Sequence, residues 1–205
     1  MRSIIALAAL LLVVPGLVAA QANPDSVKHR NNCRLAEQVL ATGQPGPKRA
    51  WAIPYLSGCG AAGGAALATA IDHERASTDV KSLERLYLTP AVLVDRAIFQ
   101  EVLGVAGDGA ASVPARILSF GTLLMYESPS YYTSYDELVG ASSPDAGCRL
   151  ISRPPHPVLV GTPLPADYLA QSRALAQRVA ADESEPRSLR NAASCVVEGI
   201  ARLGP

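Results

Sequence analysis

Asp72, His73 and Glu74 form the most reactive-looking triplet of the chain. An imidazole between two carboxylates could act in general acid–base catalysis. Neighbouring residues on a helix point in different directions, so three consecutive residues do not form a catalytic dyad by themselves. A remote carboxylate such as Glu37 or Glu101 would have to complete the site, and the sequence does not place one. We therefore predict a solvated helix end here and no catalytic residue.

The sequence lacks the motifs that mark common catalytic and cofactor sites. It contains no G-x-S-x-G nucleophile elbow, no H-E-x-x-H zinc helix, no P-loop and no dinucleotide-binding glycine motif. The segment 107–109 has the Gly-Asp-Gly order of a calcium loop, but the alternating acidic ligands are missing. His156 lies between prolines, which is typical of a surface loop. We expect no cofactor and no metal.

Residues 1–20 have the pattern of a secretory signal peptide. Arg2 supplies the positive charge, an apolar run extends from Ile4 to Val14, and Pro15-Gly16 would break a helix. Small residues around Ala20 suit cleavage. The apolar run is short for a bilayer span, although a retained anchor helix is the alternative. We expect a secreted or periplasmic protein.

Export changes how the cysteines are interpreted. Their even number in an oxidising compartment predicts two disulfides, formed by Cys33, Cys59, Cys148 and Cys195. Zinc is the competing interpretation. It is disfavoured because the chain has no C-x-x-C pair and because no histidine is expected at ligand spacing from a cysteine.

Charge and composition exclude several classes of protein. The chain has 18 Lys and Arg against 18 Asp and Glu, and 49% of its residues are hydrophobic. This balance gives no electrostatic reason to bind nucleic acid or, after removal of the signal, an anionic membrane. The hydrophobic fraction suffices for a folded core.

The elements that must position these residues are predicted to be helices. Alanine and leucine outnumber valine and isoleucine, and the chain has one Trp and two Phe. Asn31-Asn32 can cap a helix that starts at Cys33, with Leu35, Val39 and Leu40 as its apolar stripe. Residues 44–47 form a tight connector to a second helix that ends before Cys59. A further pair of helices is predicted at 64–71 and 80–88.

This helical hairpin predicts the disulfide pairing. In two antiparallel helices of similar length, Cys33 and Cys59 lie at the same end, within bridging distance. Cys148 and Cys195 then pair by elimination.

The hairpin unit recurs along the chain. A segment resembling Leu-Ala-Glu-Gln-Val occurs at 35–39, 99–102 and 175–179. Each copy is followed by a connector that ends in a proline and an arginine: Pro47-Lys48-Arg49, Pro114-Ala115-Arg116 and Pro186-Arg187. With its alanine-rich small positions, the chain resembles a HEAT-like α-helical repeat protein over 33–126 and 166–203. The resemblance implies an all-α fold of stacked antiparallel helical hairpins, an α-solenoid. An irregular α-bundle is the alternative.

We therefore predict residues 21–32 as an N-terminal linker and 33–205 as a single α-helical domain. The segment 127–165 is rich in proline and interrupts the pattern, so it is predicted as a long connection with one short helix at 135–139. Four tyrosines lie at its start, where they form either a contact surface or a cover for the edge of the helices: Tyr126, Tyr131, Tyr132 and Tyr135.

Two classes of function remain. The first is an exported, non-catalytic binding or scaffold module whose partner is a protein or peptide, which the absence of catalytic motifs favours. The second is a small exported enzyme of the hydrolase class, with a site near His73 or in the 127–165 segment. A deep pocket that holds His73 beside a carboxylate would favour the enzyme, and an open concave face would favour the binding module.

Overall fold

The computed structural model describes residues 24–44, 46–88, 95–127, 131–132, 134–140, 151–152 and 165–202. Apart from one two-residue ladder, the regular secondary structure of this part of the chain is helical, which confirms the all-α class. The helices are α1 (Pro24–Ala41), α2 (Pro47–Leu56), α3 (Gly60–His73), α4 (Val80–Leu88), α5 (Arg96–Gly107), α6 (Val113–Glu127), α7 (Tyr135–Gly140), α8 (Ala166–Ala181) and α9 (Arg187–Arg202).

The 127–165 segment is described only in part. Strand β1 (Tyr131–Tyr132) pairs antiparallel with strand β2 (Ile151–Ser152), and α7 confirms the short helix predicted there. The predicted signal segment 1–20, Cys148 and His156 lie outside the described residues.

Helix α1 begins earlier than the sequence analysis predicts. It starts at Pro24, so most of the predicted linker 21–32 is helical. Proline is well suited to the first turn of a helix, where its missing N–H has no intrahelical partner in any case. The buried stripe also differs, because it consists of Cys33, Ala36 and Leu40, whereas Leu35 is 50% exposed.

The helices contact one another in two ordered rows. The first row runs α1, α3, α5, α8 and the second runs α2, α4, α6, α9, with each helix packed on the next in its row. Across the rows, α1 packs on α2, α3 on α4, α5 on α6 and α8 on α9, while α7 packs on α6 and α9. Residues 115–126 of α6 are all buried, which makes α6 the central helix of the core.

Two arginines join hairpins through their connectors. Arg116, near the start of α6, makes a bidentate ion pair with Glu185 at 2.6 and 2.8 Å, and its Nε donates to the carbonyl of Ala106. Arg49, near the start of α2, likewise pairs with Glu74 just after α3. The arginines of the first two predicted hairpin motifs therefore have the same role, since each is buried and neutralised by a glutamate of a later connector.

Glycine lets α3 approach its neighbours closely. A Cβ on Gly63 would overlap the carbonyl oxygen of Leu56, and a Cβ on Gly64 would lie 2.5 Å from the carboxylate of Asp95. Asp95 caps α5 by accepting hydrogen bonds from the N–H groups of Ala97 and Ile98. These small residues fix where α3 lies between α2 and α5.

Candidate functional site

A cavity of about 730 Å³ lies among α1, α2 and α3. Most of its lining is apolar and small, since four alanines of α3 line it together with Leu40 and Ala41 of α1: Ala62, Ala65, Ala66 and Ala70. A helix rises about 1.5 Å per residue, so the alanine lining of α3 from Ala62 to Ala70 extends over about 12 Å. Because alanine side chains end at Cβ, this face of α3 leaves space that larger side chains would fill.

The polar part of the lining centres on the Arg49–Glu74 pair. The Arg49 side chain is 7% exposed and that of Glu74 is 21% exposed. Burial raises the pKa of the Glu74 carboxyl above its ordinary value, and the guanidinium of Arg49 partly offsets that effect. Since a buried charge is costly without a partner, each member of this pair holds the other in place.

His73 and Glu37 line the same cavity. His73 is the last residue of α3 and is exposed, whereas Glu37 is half-buried on α1. The structure thus brings the histidine singled out in the sequence together with one of its two candidate carboxylates. Glu101, the other candidate, is not among the residues found to line this cavity. Burial and the negative charge of Asp72 raise its pKa.

The prediction of a solvated helix end is correct for Asp72 and His73 but not for Glu74. Asp72 pairs with Arg75 at 3.1 Å on the surface, and His73 is exposed. Glu74 is instead turned into the ion pair with Arg49. Neither this pair nor the alanine face of α3 is predicted from the sequence. The spacing of Ala62, Ala66, Thr69 and His73 by three and four residues was the available signal, but only the position of α1 makes that face a cavity.

The lining offers little for nucleophilic catalysis. Among the described lining residues the one hydroxyl belongs to Thr69, and it donates to the carbonyl of Ala65 at 3.0 Å. A nucleophile would need an adjacent base to accept its proton. The arrangement is therefore suited to holding an apolar molecule beside a few fixed charges.

The Cys33–Cys59 disulfide is present, as the hairpin predicts, and it joins α1 to the residue that follows the end of α2 by three positions. Cys195 is also disulfide-bonded. Its predicted partner Cys148 lies outside the described residues, so that pairing stays a prediction.

The expectation that no histidine lies near a cysteine is wrong. His29 precedes Cys33 by one turn of α1, and its Nε2 is 3.6 Å from the Cys33 sulfur. The same ring contacts the Tyr55 hydroxyl at 3.2 Å and the Gly58 carbonyl at 3.1 Å. The two residues are close because His29 lies on α1 and not in the predicted linker. The thiolate is the metal-binding form of cysteine, so in the disulfide form this cluster does not provide a zinc ligand set.

The four tyrosines do not form one exposed surface. Tyr126 is 3% exposed, its hydroxyl has no hydrogen-bond partner among the described residues, and burial raises its pKa. Tyr135 is half-buried at the start of α7, where its backbone N–H donates to the Glu84 carboxylate at 3.0 Å. For Tyr131 and Tyr132 only the backbone is described. Tyr126 thus belongs to the core, where the apolar face of α6 places it.

Within the described residues, no helix has the length and apolar character needed to cross a membrane. Comparison of the chain with protein-family models, curated proteins and solved structures found no match.

Proposed function

We propose that this protein is an exported helical-repeat module that binds a small apolar ligand without chemical conversion, in the cavity among α1, α2 and α3. The observation that carries the proposal is the cavity itself. Its volume of about 730 Å³ is typical of small-molecule sites, which are predominantly apolar with a few fixed polar groups. The predicted protein or peptide partner is the alternative occupant, and the volume of the site favours a small molecule.

The ordered rows of helices support the HEAT-like part of the proposal. In a stacked repeat, each hairpin contacts mainly its neighbours, and the helix contacts follow that order. The shared role of Arg49 and Arg116 is also what a repeated unit would produce. The irregular α-bundle remains the alternative, and the short α7 beside α6 and α9 is the feature that favours it.

Export is supported by the disulfide. Disulfides persist in oxidising compartments and are rare in the cytosol, and Cys33–Cys59 is formed. The intact mass of the secreted or periplasmic protein tests this part, because cleavage after Ala20 or Ala22 removes a defined mass. A membrane-bound species that retains residues 1–20 would contradict it.

A neutral apolar dye such as Nile red tests binding in the cavity. We expect its fluorescence to rise with the wild-type protein and the rise to be lost in Ala65→Phe, because Ala65 is an exposed lining residue whose replacement fills the cavity. Ala61→Phe is the matched control, since Ala61 is exposed on the same helix and is not found in the lining. Equal binding by both variants would contradict the proposed site, provided that both keep the helical circular dichroism of the wild type.

A small hydrolase is the second candidate function. Its specific support is that His73, Glu37 and Glu74 line one cavity, as an acid–base site would require. Against it, Glu74 is paired with Arg49 and the Thr69 hydroxyl is hydrogen-bonded to its own helix. A broad hydrolase screen decides between the two functions. Activity that is present in the wild type and lost in His73→Ala would replace the binding role.

A further inference from the structure

The charges that line the cavity do not balance. Arg49 and Glu74 neutralise each other, whereas Glu37 has no ion-pair partner among the described residues. With the histidine counted as neutral, one arginine and two glutamates give the described lining a formal charge of −1. The excess negative charge is carried by the carboxylate of Glu37, a half-buried residue of α1.

A ligand that fills the cavity must offer the Glu37 carboxylate a hydrogen-bond donor or a cation. Covering a carboxylate with apolar atoms is costly unless a hydrogen-bond donor or a cation replaces the lost water. An anionic ligand would instead add a like charge beside Glu37. Arg49 cannot readily compensate for it, because its side chain is 7% exposed and is already engaged by Glu74.

We propose that the ligand class is an aliphatic amine, whose ammonium group pairs with Glu37 and whose chain lies along the alanine face of α3. This inference rests on the proposed function. The alanine face from Ala62 to Ala70 supplies the apolar contact over about 12 Å, which suits an extended chain rather than a compact ring. A hydrogen bond between an ammonium and a carboxylate is charge-assisted and stronger than a bond between neutral groups. Apolar burial would therefore provide affinity, and Glu37 would provide selectivity for a cation.

Three probes with the same octyl chain and different head groups test the ligand class: octylamine, octanol and octanoate. Calorimetry at fixed pH 7 and fixed ionic strength measures their affinities for the full mature chain. We expect octylamine to bind about tenfold more tightly than octanol, the size of effect typical of one hydrogen bond to a charged group, and octanoate to bind most weakly. We expect Glu37→Gln to reduce the affinity for octylamine to that for octanol, while the affinity for octanol is retained.

Glu183→Gln is the matched control, because it removes one negative charge from an exposed position in the α8–α9 connector. It should leave all three affinities unchanged, which separates a local effect of Glu37 from an effect of net charge. One outcome would contradict the amine inference alone: octanol binds, Ala65→Phe abolishes that binding, and octylamine binds no more tightly than octanol. In that case the proposed function stands. The inference is also wrong if Glu37→Gln keeps the preference for octylamine. If none of the three probes binds the wild-type protein, the proposed function itself is wrong.

Discussion

Arg116 is a buried charged residue with several hydrogen-bond partners among the described residues. Its side chain is 5% exposed, and it is bound both by the two carboxylate oxygens of Glu185 and by the carbonyl of Ala106. Removing one partner of a buried ion pair leaves the other charge uncompensated. Arg116 thereby links the α5–α6 connector to the α8–α9 connector.

We expect Arg116→Ala to lower the free energy of unfolding by about 3–5 kcal/mol, as is typical when a buried pair loses one member. Arg75→Ala is the control, because Arg75 pairs with Asp108 at 2.7 Å while its side chain is 37% exposed. Its removal should cost less than about 1 kcal/mol. Urea denaturation measures both, and equal losses would show that burial does not determine the contribution of these pairs.

Glu101 gives a prediction about pH. Burial and the charge of Asp72 raise its pKa above the ordinary value of 4.5, and Arg75 partly offsets the shift. A raised pKa in the folded state means that folding favours the protonated carboxyl. Its stabilising contribution is therefore complete below pH 4.5 and is lost as pH rises through the folded pKa.

Glu101→Gln, which mimics the protonated form, should therefore stabilise the protein at pH 7 and have little effect at pH 4. Because Glu101 is only partly buried and water screens its charge, we expect only a few tenths of a kcal/mol. Urea denaturation of wild type and variant at both pH values checks this, and a larger gain at pH 4 would contradict the sign of the shift.

At the scale of elements, α3 combines close packing with an open face. Gly63 and Gly64 allow it to contact α2 and the start of α5, while its alanines line the cavity on another side. The sequence predicts a helix over 64–71, and the observed helix is longer at both ends. The sequence could not show which face of α3 is covered, because that depends on the positions of α1 and α5. The start of α1 at Pro24 was likewise not predicted. Leu35 is predicted as part of the apolar stripe, but it is 50% exposed because Cys33, Ala36 and Leu40 form the buried face of α1.

Gly63→Ala should destabilise the protein by about 1–3 kcal/mol, because the added Cβ meets backbone of α2 that cannot rotate away. Gly104→Ala is the matched control. Gly104 lies on α5 with nothing within 4 Å of its added Cβ, so alanine there should stabilise the helix by up to about 1 kcal/mol. Thermal unfolding of the two variants should give changes of opposite sign, and stabilisation by both would contradict the close approach of α3 to α2.

The second disulfide is also a prediction at the element scale. Cys195 is 2% exposed on α9 and is disulfide-bonded, so its predicted bond to Cys148 would fasten the proline-rich 127–165 segment to the last helix. In the chain-entropy model such a bond contributes about 3–4 kcal/mol. Peptide mapping without reductant should yield one fragment that joins Cys148 to Cys195. A fragment that joins Cys195 to any other cysteine would contradict the pairing.

At the scale of the whole molecule, the sequence predicts the all-α class but not the cavity. Segments that resemble Leu-Ala-Glu-Gln-Val lie in α1, α5 and α8, the first helices of three of the four hairpins that the structure describes, whereas α3 contains no such segment. The copies do not bury the same residue, since Leu35 is 50% exposed and Phe99 is 1% exposed. The cavity arises where α1, α2 and α3 meet, so it depends on contacts between residues far apart in sequence. Arg49 and Glu74 are separated by 25 residues. No local pattern of a single helix specifies such a pair.

Alanine-methyl NMR during titration with octanol tests the central claim, that a ligand occupies the cavity among α1, α2 and α3, most directly. We expect the methyl signals of the lining alanines to shift to saturation together: Ala41, Ala62, Ala65, Ala66 and Ala70. The methyl signals of Ala176, Ala192 and Ala193, which lie in the core of the α8–α9 hairpin, should stay in place. Shifts confined to α8 and α9, or no shifts at octanol concentrations that saturate the calorimetric signal, would contradict the claim.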